Sequence, residues 1–333
     1  MKNMFERFKK PQIVLFLLSP LLAELMTSSA PPLEFFNPFG FVFITLWYGS
    51  GALLVREISF RKGLSWLGIL ILGFSFGILE EGIFVKTFFD PNAVDLGEFA
   101  KFGRFFETNI PWAFYLTLFH GVHSILFPII LTYLFFPQEI KKEWISRRRI
   151  SMLSIILAVL SIFGFFVFDP SKSGTPYRPT PLHFVACLLV ISILCGYALK
   201  HKKKDEFSME DIERRLGRRI LVLGVVFAFL LSFGVWGIAS TMKNTIFSVA
   251  FIIFVFTFFL YLQKNLIKNN LKAFSYFVVS YYVVWAFIGF LSEFSGQPEM
   301  RGMSLVGIIF LGFFLKVLKY LELKSQQIYP IKD

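Results

Sequence analysis

Long apolar stretches alternate with short polar segments along the whole chain. A run of about 17–25 apolar residues is the length that a helix needs to cross a bilayer. Ten such stretches lie at approximately residues 12–29, 39–56, 64–89, 111–136, 151–168, 182–199, 219–240, 245–263, 273–292 and 303–321. Little sequence remains for a water-soluble domain. The pattern therefore predicts an all-α integral membrane protein with about ten transmembrane helices, folded as one polytopic membrane domain over residues 1–333.

Composition and charge agree with this prediction. The chain is 56% hydrophobic and 19% aromatic, with 46 Phe among its 333 residues, a composition far from that of a soluble domain. Its net charge of +12 comes from basic residues that follow the predicted topology. If the N-terminus is cytoplasmic, 27 of the 34 Lys and Arg lie on the inner side of the membrane. The seven on the outer side are Lys86, Lys101, Arg104, Lys172, Arg178, Lys243 and Arg301.

This bias follows the positive-inside rule and places both termini in the cytoplasm. The basic excess is then explained by topology, so we expect the lipid bilayer as partner and no nucleic acid. We expect a prokaryotic plasma membrane.

The first stretch also resembles a secretory signal, but Glu24 in its core and Pro31-Pro32 after its small residues argue against cleavage. We expect this helix to be retained.

The chain divides by chemistry rather than by internal symmetry. The first four stretches, within residues 1–137, hold nearly all the deeply placed ionisable residues, and residues 151–321 form an apolar scaffold half. The polar residues and loop lengths do not repeat between the halves, so the inverted repeat of many transporters is not supported. Arg56 and Glu57, at the inner end of the second stretch, are expected to be anchors at the membrane surface.

Five ionisable residues share one depth in the predicted outer half. A carboxylate in hydrocarbon costs ~2.5 kcal/mol or more, so intramembrane ionisable groups indicate function by default. At about 1.5 Å per residue, Glu80, Glu81 and His120 lie roughly 13 Å from the outer ends of their helices, with His123 about 18 Å deep and Glu24 about 9–10 Å deep. Neighbouring antiparallel helices pack together. The sequence therefore predicts one site in which Glu80, Glu81, His120 and His123 are central and Glu24 supports them.

Two further patterns bear on this site. Gly73, Gly77 and Glu81 recur every four residues, so Glu81 lies on a stripe of small residues where another helix can approach closely. The outer loop at 90–109 can form a helix with Leu96, Phe99, Phe102 and Phe106 on one face. Such a helix would anchor the loop in the interface or cover the site as a lid.

Three functions are compatible with these residues. A Glu can act as a general base on water while His stabilises an oxyanion or binds a divalent metal ion, giving a membrane-embedded hydrolase for a membrane-bound or lipid-soluble substrate. The same groups can bind protons or cations in a proton-coupled transporter of a small solute or ion. Alternatively, Glu81 and His120 pair as structural contacts in a non-catalytic membrane scaffold protein.

The chain has the doublet Glu80-Glu81 and, on the next stretch, Phe119 four residues before His123. This pattern resembles the first two motifs of the CAAX-protease and bacteriocin-processing family of glutamate intramembrane proteases. The resemblance implies that Glu80 activates water and that His123 helps to hold it or the oxyanion. Val85 stands where that family has Arg, and its third motif is missing from the later spans. The family's site also faces the cytoplasm, whereas this one is predicted in the outer half.

Overall fold

The computed structural model describes residues 10–202, 207, 208 and 210–326. Within these ranges nine helices are long and apolar enough to cross a membrane, and a shorter apolar helix precedes them. We number them α1 (Pro11–Leu25), α2 (Pro38–Lys62), α3 (Trp66–Phe84), α4 (Ile110–Phe135), α5 (Arg147–Val167), α6 (Pro181–Ala198), α7 (Arg214–Met242), α8 (Thr245–Ile267), α9 (Leu271–Ser295) and α10 (Met303–Glu322).

The prediction of an all-α, multi-pass membrane protein is confirmed. The first helix is shorter than expected, because the chain turns after Leu25 and Ser28 adopts a left-handed conformation with φ +63°. Its 15 residues extend only ~22 Å at 1.5 Å per residue, less than the hydrocarbon thickness. Both chain termini lie outside the described residues, so the orientation of the bundle stays a prediction.

The centre of the bundle is formed by α3, α4 and α9. In the most apolar part of α4, 89% of residues are buried inside the protein, against 11% for α6. α4 packs on α3, α8 and α9; α9 also contacts α7 and α10, while α2 contacts α1 and α5. The lipid-facing helices α5 and α6 expose large apolar side chains, as expected in a bilayer. Two of these central helices, α3 and α4, carry four of the five predicted site residues, and Glu24 lies on α1.

Glycines bring α3 and α4 into close contact. A Cβ placed on Gly73 would lie 2.9 Å from Cα of Gly121, and one on Gly77 would lie 3.0 Å from Cβ of His120. Larger residues at either position would push the helices apart. The small-residue stripe therefore sets the distance at which Glu81, one turn further along α3, meets His120.

Three short π-helical turns interrupt α1, α3 and α4. They span Leu21–Leu25, Leu79–Phe84 and His120–Leu126, and together they contain all five predicted site residues. Two similar turns in α7 and α8 contain none of them. A π-turn accommodates an extra residue within a helix and often occurs at functional sites. Its consequence here is that residues beyond the turn face directions that regular α-helical spacing does not predict.

The 85–109 segment lies at one end of the bundle, which we call the cavity end; topology predicts it to be the outer side. A 3₁₀ helix at Val94–Lys101 is followed by a hairpin of two short strands, β1 (Arg104–Phe105) and β2 (Thr108–Asn109). Leu96 and Phe99 are fully buried, as the predicted apolar face requires. Phe106 is 79% exposed, so its predicted place on that face is wrong, because the hairpin turn reverses the chain there.

Lys86 connects the end of α3 to the end of α5. Its side chain is fully buried, and its ammonium group donates hydrogen bonds to the carbonyl oxygens of Gly164, Phe165 and Phe168 at 2.9, 3.0 and 2.7 Å. Helix C-termini have carbonyls without partners and a partial negative charge. Burial lowers the pKa of Lys86 to about 8 and nearby Asp169 and Asp90 oppose the shift, so the ammonium form persists at pH 7.

Arg56 and Glu57 occupy the opposite end of the bundle and are buried rather than exposed at the surface. The Arg56 guanidinium lies 3.0 Å from Oε2 of Glu57, donates to the Ile140 carbonyl and stacks 3.7 Å from the ring centroid of Trp144. The expectation of a surface anchor is corrected, because the segment between α4 and α5 folds back over this pair. The contacts fasten α2 to that segment.

The charge bias gives a direct test of orientation. Alkaline phosphatase, which is active only outside the cytoplasm, should be active when fused within residues 168–180 and inactive within residues 199–213, because basic residues concentrate in the second loop. Enzyme assays on cells carrying each fusion measure this. The opposite pattern would invert the bundle and place the cavity end in the cytoplasm.

Replacing Lys86 tests its contact with α5. Lys86→Met should lower the free energy of unfolding by about 2 kcal/mol, because buried carbonyls at the end of α5 lose their donor. Lys101→Met is the matched control and should change stability by less than ~0.5 kcal/mol, since that side chain forms an exposed ion pair with Glu98. Thermal unfolding of both purified variants in detergent compares them, and equal stability would contradict the proposed contact.

Candidate functional site

A cavity of about 380 Å³ enters the bundle at the cavity end. Glu24, Glu80, Glu81 and His120 lie along it. Glu80 and His120 are 4% and 5% exposed, so these ionisable groups are almost fully removed from bulk solvent. The structure therefore brings together four of the five residues that depth along the chain predicted.

The His120 imidazole lies between the two adjacent carboxylates. Its Nε2 is 2.9 Å from Oε1 of Glu81, and its Nδ1 is 3.1 Å from Oε2 of Glu80 and 3.2 Å from the Ser124 hydroxyl. A neutral imidazole carries one N–H, whereas both of its nitrogens here face a carboxylate. Nε2 donates to Glu81, while Nδ1 either accepts from the Ser124 hydroxyl in a neutral ring or carries a second proton that faces Glu80.

Tyr48 of α2 joins a further carboxylate to this group. Its hydroxyl contacts Oε1 of Glu24 and Oε1 of Glu80. One hydroxyl proton can be donated to only one of them at a time, so the second contact requires a proton on a carboxyl oxygen. Glu24, which was predicted to support the site, thus reaches Glu80 through an aromatic side chain that the prediction did not include.

A hydrogen bond to its second carboxylate oxygen holds Glu81 in place. The Thr87 hydroxyl donates to Oε2 of Glu81, and the indole N–H of Trp112 donates to Oγ1 of Thr87 at 3.0 Å. Both oxygens of Glu81 therefore have hydrogen-bond partners. Oε2 of Glu80 differs, because it is buried and has no hydrogen bond of good geometry despite its proximity to His120. Glu80 therefore has one carboxylate oxygen that is available to accept a further hydrogen bond.

His123 lies apart from the carboxylates. Its Nδ1 is 2.8 Å from the Tyr281 hydroxyl, its Nε2 is 2.9 Å from the Leu22 carbonyl oxygen, and its ring stacks on Phe119. Because a carbonyl can only accept, Nε2 donates to Leu22 and Nδ1 accepts from Tyr281. The expected meeting of His123 with the Glu pair is not observed, because the π-turn directs its ring toward α1 and α9.

Three residues of the site were missed by reasoning from sequence: Tyr48, Thr87 and Trp112. Tyr48 had a usable signal, since at about 1.5 Å per residue it lies ~15 Å along α2, close to the depth of Glu80. Thr87 lies past the end of α3 and meets Glu81 only because the helix ends in a π-turn. The scaffold half also contributes, since Trp236 of α7 and Trp285 of α9 line the cavity.

The cluster also has the donor atoms for one divalent metal ion. One ligand atom from each of Glu80, Glu81 and His120 lies within 4.8 Å of the others. Mixed carboxylate and imidazole ligands suit zinc, manganese or iron. A nitrogen of His120 that binds a metal cannot also donate to a carboxylate, so metal binding would replace one of the two contacts described above. The bound ion would polarise a substrate oxygen or a water molecule.

Comparison with known proteins assigns this chain to a family. A family model described as an uncharacterized membrane protein family matches residues 13–321. The chain belongs to this family. The match extends over nearly the whole bundle, including every residue that lines the cavity. No curated protein and no solved structure matches the chain.

The shared Tyr48 hydroxyl predicts a protonated carboxyl group at neutral pH. The infrared spectrum should contain the carbonyl-stretch band of a protonated carboxylic acid, and Glu24→Gln or Glu80→Gln should remove it, because the hydroxyl then satisfies the one remaining carboxylate. Glu293→Gln, which changes a carboxylate outside the cavity, is the control and should keep the band. A wild-type spectrum without the band would contradict the shared-proton arrangement.

Proposed function

We propose that this protein is a membrane-embedded hydrolase of a prokaryotic plasma membrane that acts on a membrane-bound or lipid-soluble substrate. The observation that carries the proposal is the linear arrangement of Glu80, His120 and Glu81 along a cavity. A histidine oriented by a carboxylate, with its other ring nitrogen available for proton transfer, is an established arrangement for bond cleavage. The burial of these side chains within the bundle strengthens each electrostatic contact.

Glu80 is the proposed general base. Its Oε2 has no hydrogen bond and lies beside His120, so it can accept a proton from a water molecule in the cavity. The oxygen of that water forms a bond to the electrophilic carbon of the substrate, and the bond to the leaving group breaks. His120 donates its Nδ1 proton to the leaving group, and the proton on Glu80 then restores the imidazole.

Glu81 has the positioning role in this scheme. It accepts from Nε2 of His120 and is itself fixed by Thr87, in the manner of the carboxylate that orients the histidine of a catalytic triad. His120 thus takes the part that resemblance to glutamate intramembrane proteases implied for His123. His123 instead packs between helices and supports the wall beside Phe119.

A proton-coupled transporter is the alternative that a specific observation favours. The cavity reaches three carboxylates within the helices, and the proton shared through Tyr48 is the kind of labile proton that a transporter uses. Hydrolysis and transport differ in what happens to the substrate. A hydrolase leaves an oxygen from water in the product, whereas a transporter moves an unchanged solute.

The test uses purified protein in proteoliposomes made with membrane-lipid extract and water enriched in oxygen-18. Wild-type protein should release products that carry the heavy oxygen, and Glu80→Gln should slow their release by about 10²–10⁴-fold through loss of the base. Glu81→Gln should slow it less, since it disturbs the position of His120. Product masses measured over time provide the rates.

Glu293→Gln is the matched control, because Glu293 binds Ser304 near the same end of the bundle but does not line the cavity. Its rate should equal that of the wild type. An undiminished rate in Glu80→Gln would overturn the assignment of the base. Proton-coupled flux that requires Glu80, without any heavy-oxygen product, would overturn the hydrolase in favour of the transporter.

A further inference from the structure

The cavity carries a large excess of negative side chains. Its lining contains six carboxylates and one lysine: Glu24, Glu34, Glu80, Glu81, Asp95 and Asp169, with Lys172. Among the described residues, His120 is the one basic side chain within ion-pair distance of any of the six. Charges that are poorly compensated inside low-dielectric walls produce a strong local field. That field favours a positively charged ligand.

The carboxylates occupy two levels. Glu24, Glu80 and Glu81 lie at the bottom on α1 and α3, while Asp95 lies near the mouth on the 3₁₀ helix of the 85–109 segment. A cation that enters from this end therefore meets negative charge first at the mouth and again at the bottom. Oε2 of Glu80, on a side chain only 4% exposed, lies 3.1 Å from Nδ1 of His120 but accepts no hydrogen bond of good geometry, so it can accept one from a ligand that reaches the bottom.

Aromatic rings form much of the cavity wall. Four of the six tryptophans of the chain line the cavity: Trp47, Trp112, Trp236 and Trp285. The faces of aromatic rings attract organic cations, tryptophan most strongly, and carboxylates with aromatic rings are the usual means of recognising alkylammonium groups. A volume of about 380 Å³ is also far larger than a bare metal ion needs.

We infer that the cavity binds an alkylammonium group, as a free amine or as the cationic end of a lipid-soluble molecule. This inference rests on the proposed function in taking the same cavity as the substrate site, and it names the chemical class of the substrate. It does not require hydrolysis. Binding at equilibrium can therefore be measured whether or not any bond is cleaved.

The experiment compares choline with its uncharged isostere 3,3-dimethyl-1-butanol, using the full chain in dodecyl maltoside. Tryptophan fluorescence reports occupancy, since most of the tryptophans line the site. Choline should bind saturably and at least ~10-fold more tightly than the neutral isostere, because only the cation gains from the carboxylates and the ring faces. Equal affinities, or no saturable binding of choline, would overturn the inference.

A pair of variants on one short helix provides the matched control. Asp95→Asn should weaken choline binding about 2–5-fold through loss of charge at the mouth. Glu98→Gln should leave it unchanged, because Glu98 pairs with Lys101 and does not line the cavity. Both positions are on the surface, so both variants should fold, and melting temperatures equal to the wild type verify this. Equal loss in both variants would assign the effect to general surface charge and overturn the inference.

A second probe separates the two sources of the ammonium group. Hexyltrimethylammonium should bind at least ~10-fold more tightly than choline if the ligand is lipid-soluble, because each buried methylene adds about 0.8 kcal/mol. Equal affinities for the two cations would support a free amine. Choline binding without heavy-oxygen products would support this inference and overturn the proposed hydrolase. Hydrolysis without choline binding would support the hydrolase and overturn this inference.

Discussion

Placing three carboxylates within a bundle of membrane helices, two of them buried, is the constraint on which the rest of this structure depends. An isolated buried charge is strongly destabilising, so each carboxylate needs protons or donors close at hand. His120 supplies both of its nitrogens, and Tyr48 supplies one hydroxyl to two acids. The close approach of α3 and α4 at Gly73 and Gly77 is what makes these contacts possible. The site and the helix packing are therefore one arrangement.

The π-turns set the directions of the site's side chains. In a regular helix Glu80 and Glu81 would point about 100° apart, toward different neighbours. Within the π-turn of α3 both reach the same imidazole, from its two sides. The same feature in α4 turns His123 away and leaves His120 alone with the carboxylates. An irregular backbone within a membrane is tolerated where it lines a cavity or packs on protein.

Much of the fold follows from apolar periodicity and length, since crossing a bilayer leaves few alternatives. Counting residues from the helix ends also placed Glu24, Glu80, Glu81 and His120 at one level, because depth depends on rise along the axis. Direction around the axis was less predictable. The sequence wrongly placed His123 with the carboxylates, because the extra residue of a π-turn changes the direction of a side chain around the helix axis but barely changes its depth.

Other features depend on contacts between distant segments. Tyr48 is an ordinary residue of a membrane helix until Glu24 and Glu80 approach it from two other helices. Arg56 resembles a surface anchor by position, and only the fold of the segment before α5 shows that it is buried under Trp144. The short α1 reflects a turn after Leu25, and the expected stretch of 12–29 extended past it into the polar run Thr27-Ser28-Ser29. These are tertiary effects, and local sequence carries little record of them.

The π-turn at the end of α3 has a consequence for how this segment can change during evolution. Glu80 and Glu81 lie within the turn, and Lys86, which binds the end of α5, follows directly after it. Deleting one residue between Leu79 and Phe84 would restore a regular helix and move Glu80 and Glu81 away from the imidazole that they share, while inserting one would rotate everything beyond by about 100° and detach Lys86 from its carbonyls. The segment can therefore vary in residue type more easily than in length, because its length is constrained from both sides. Insertions and deletions should be far rarer there than substitutions.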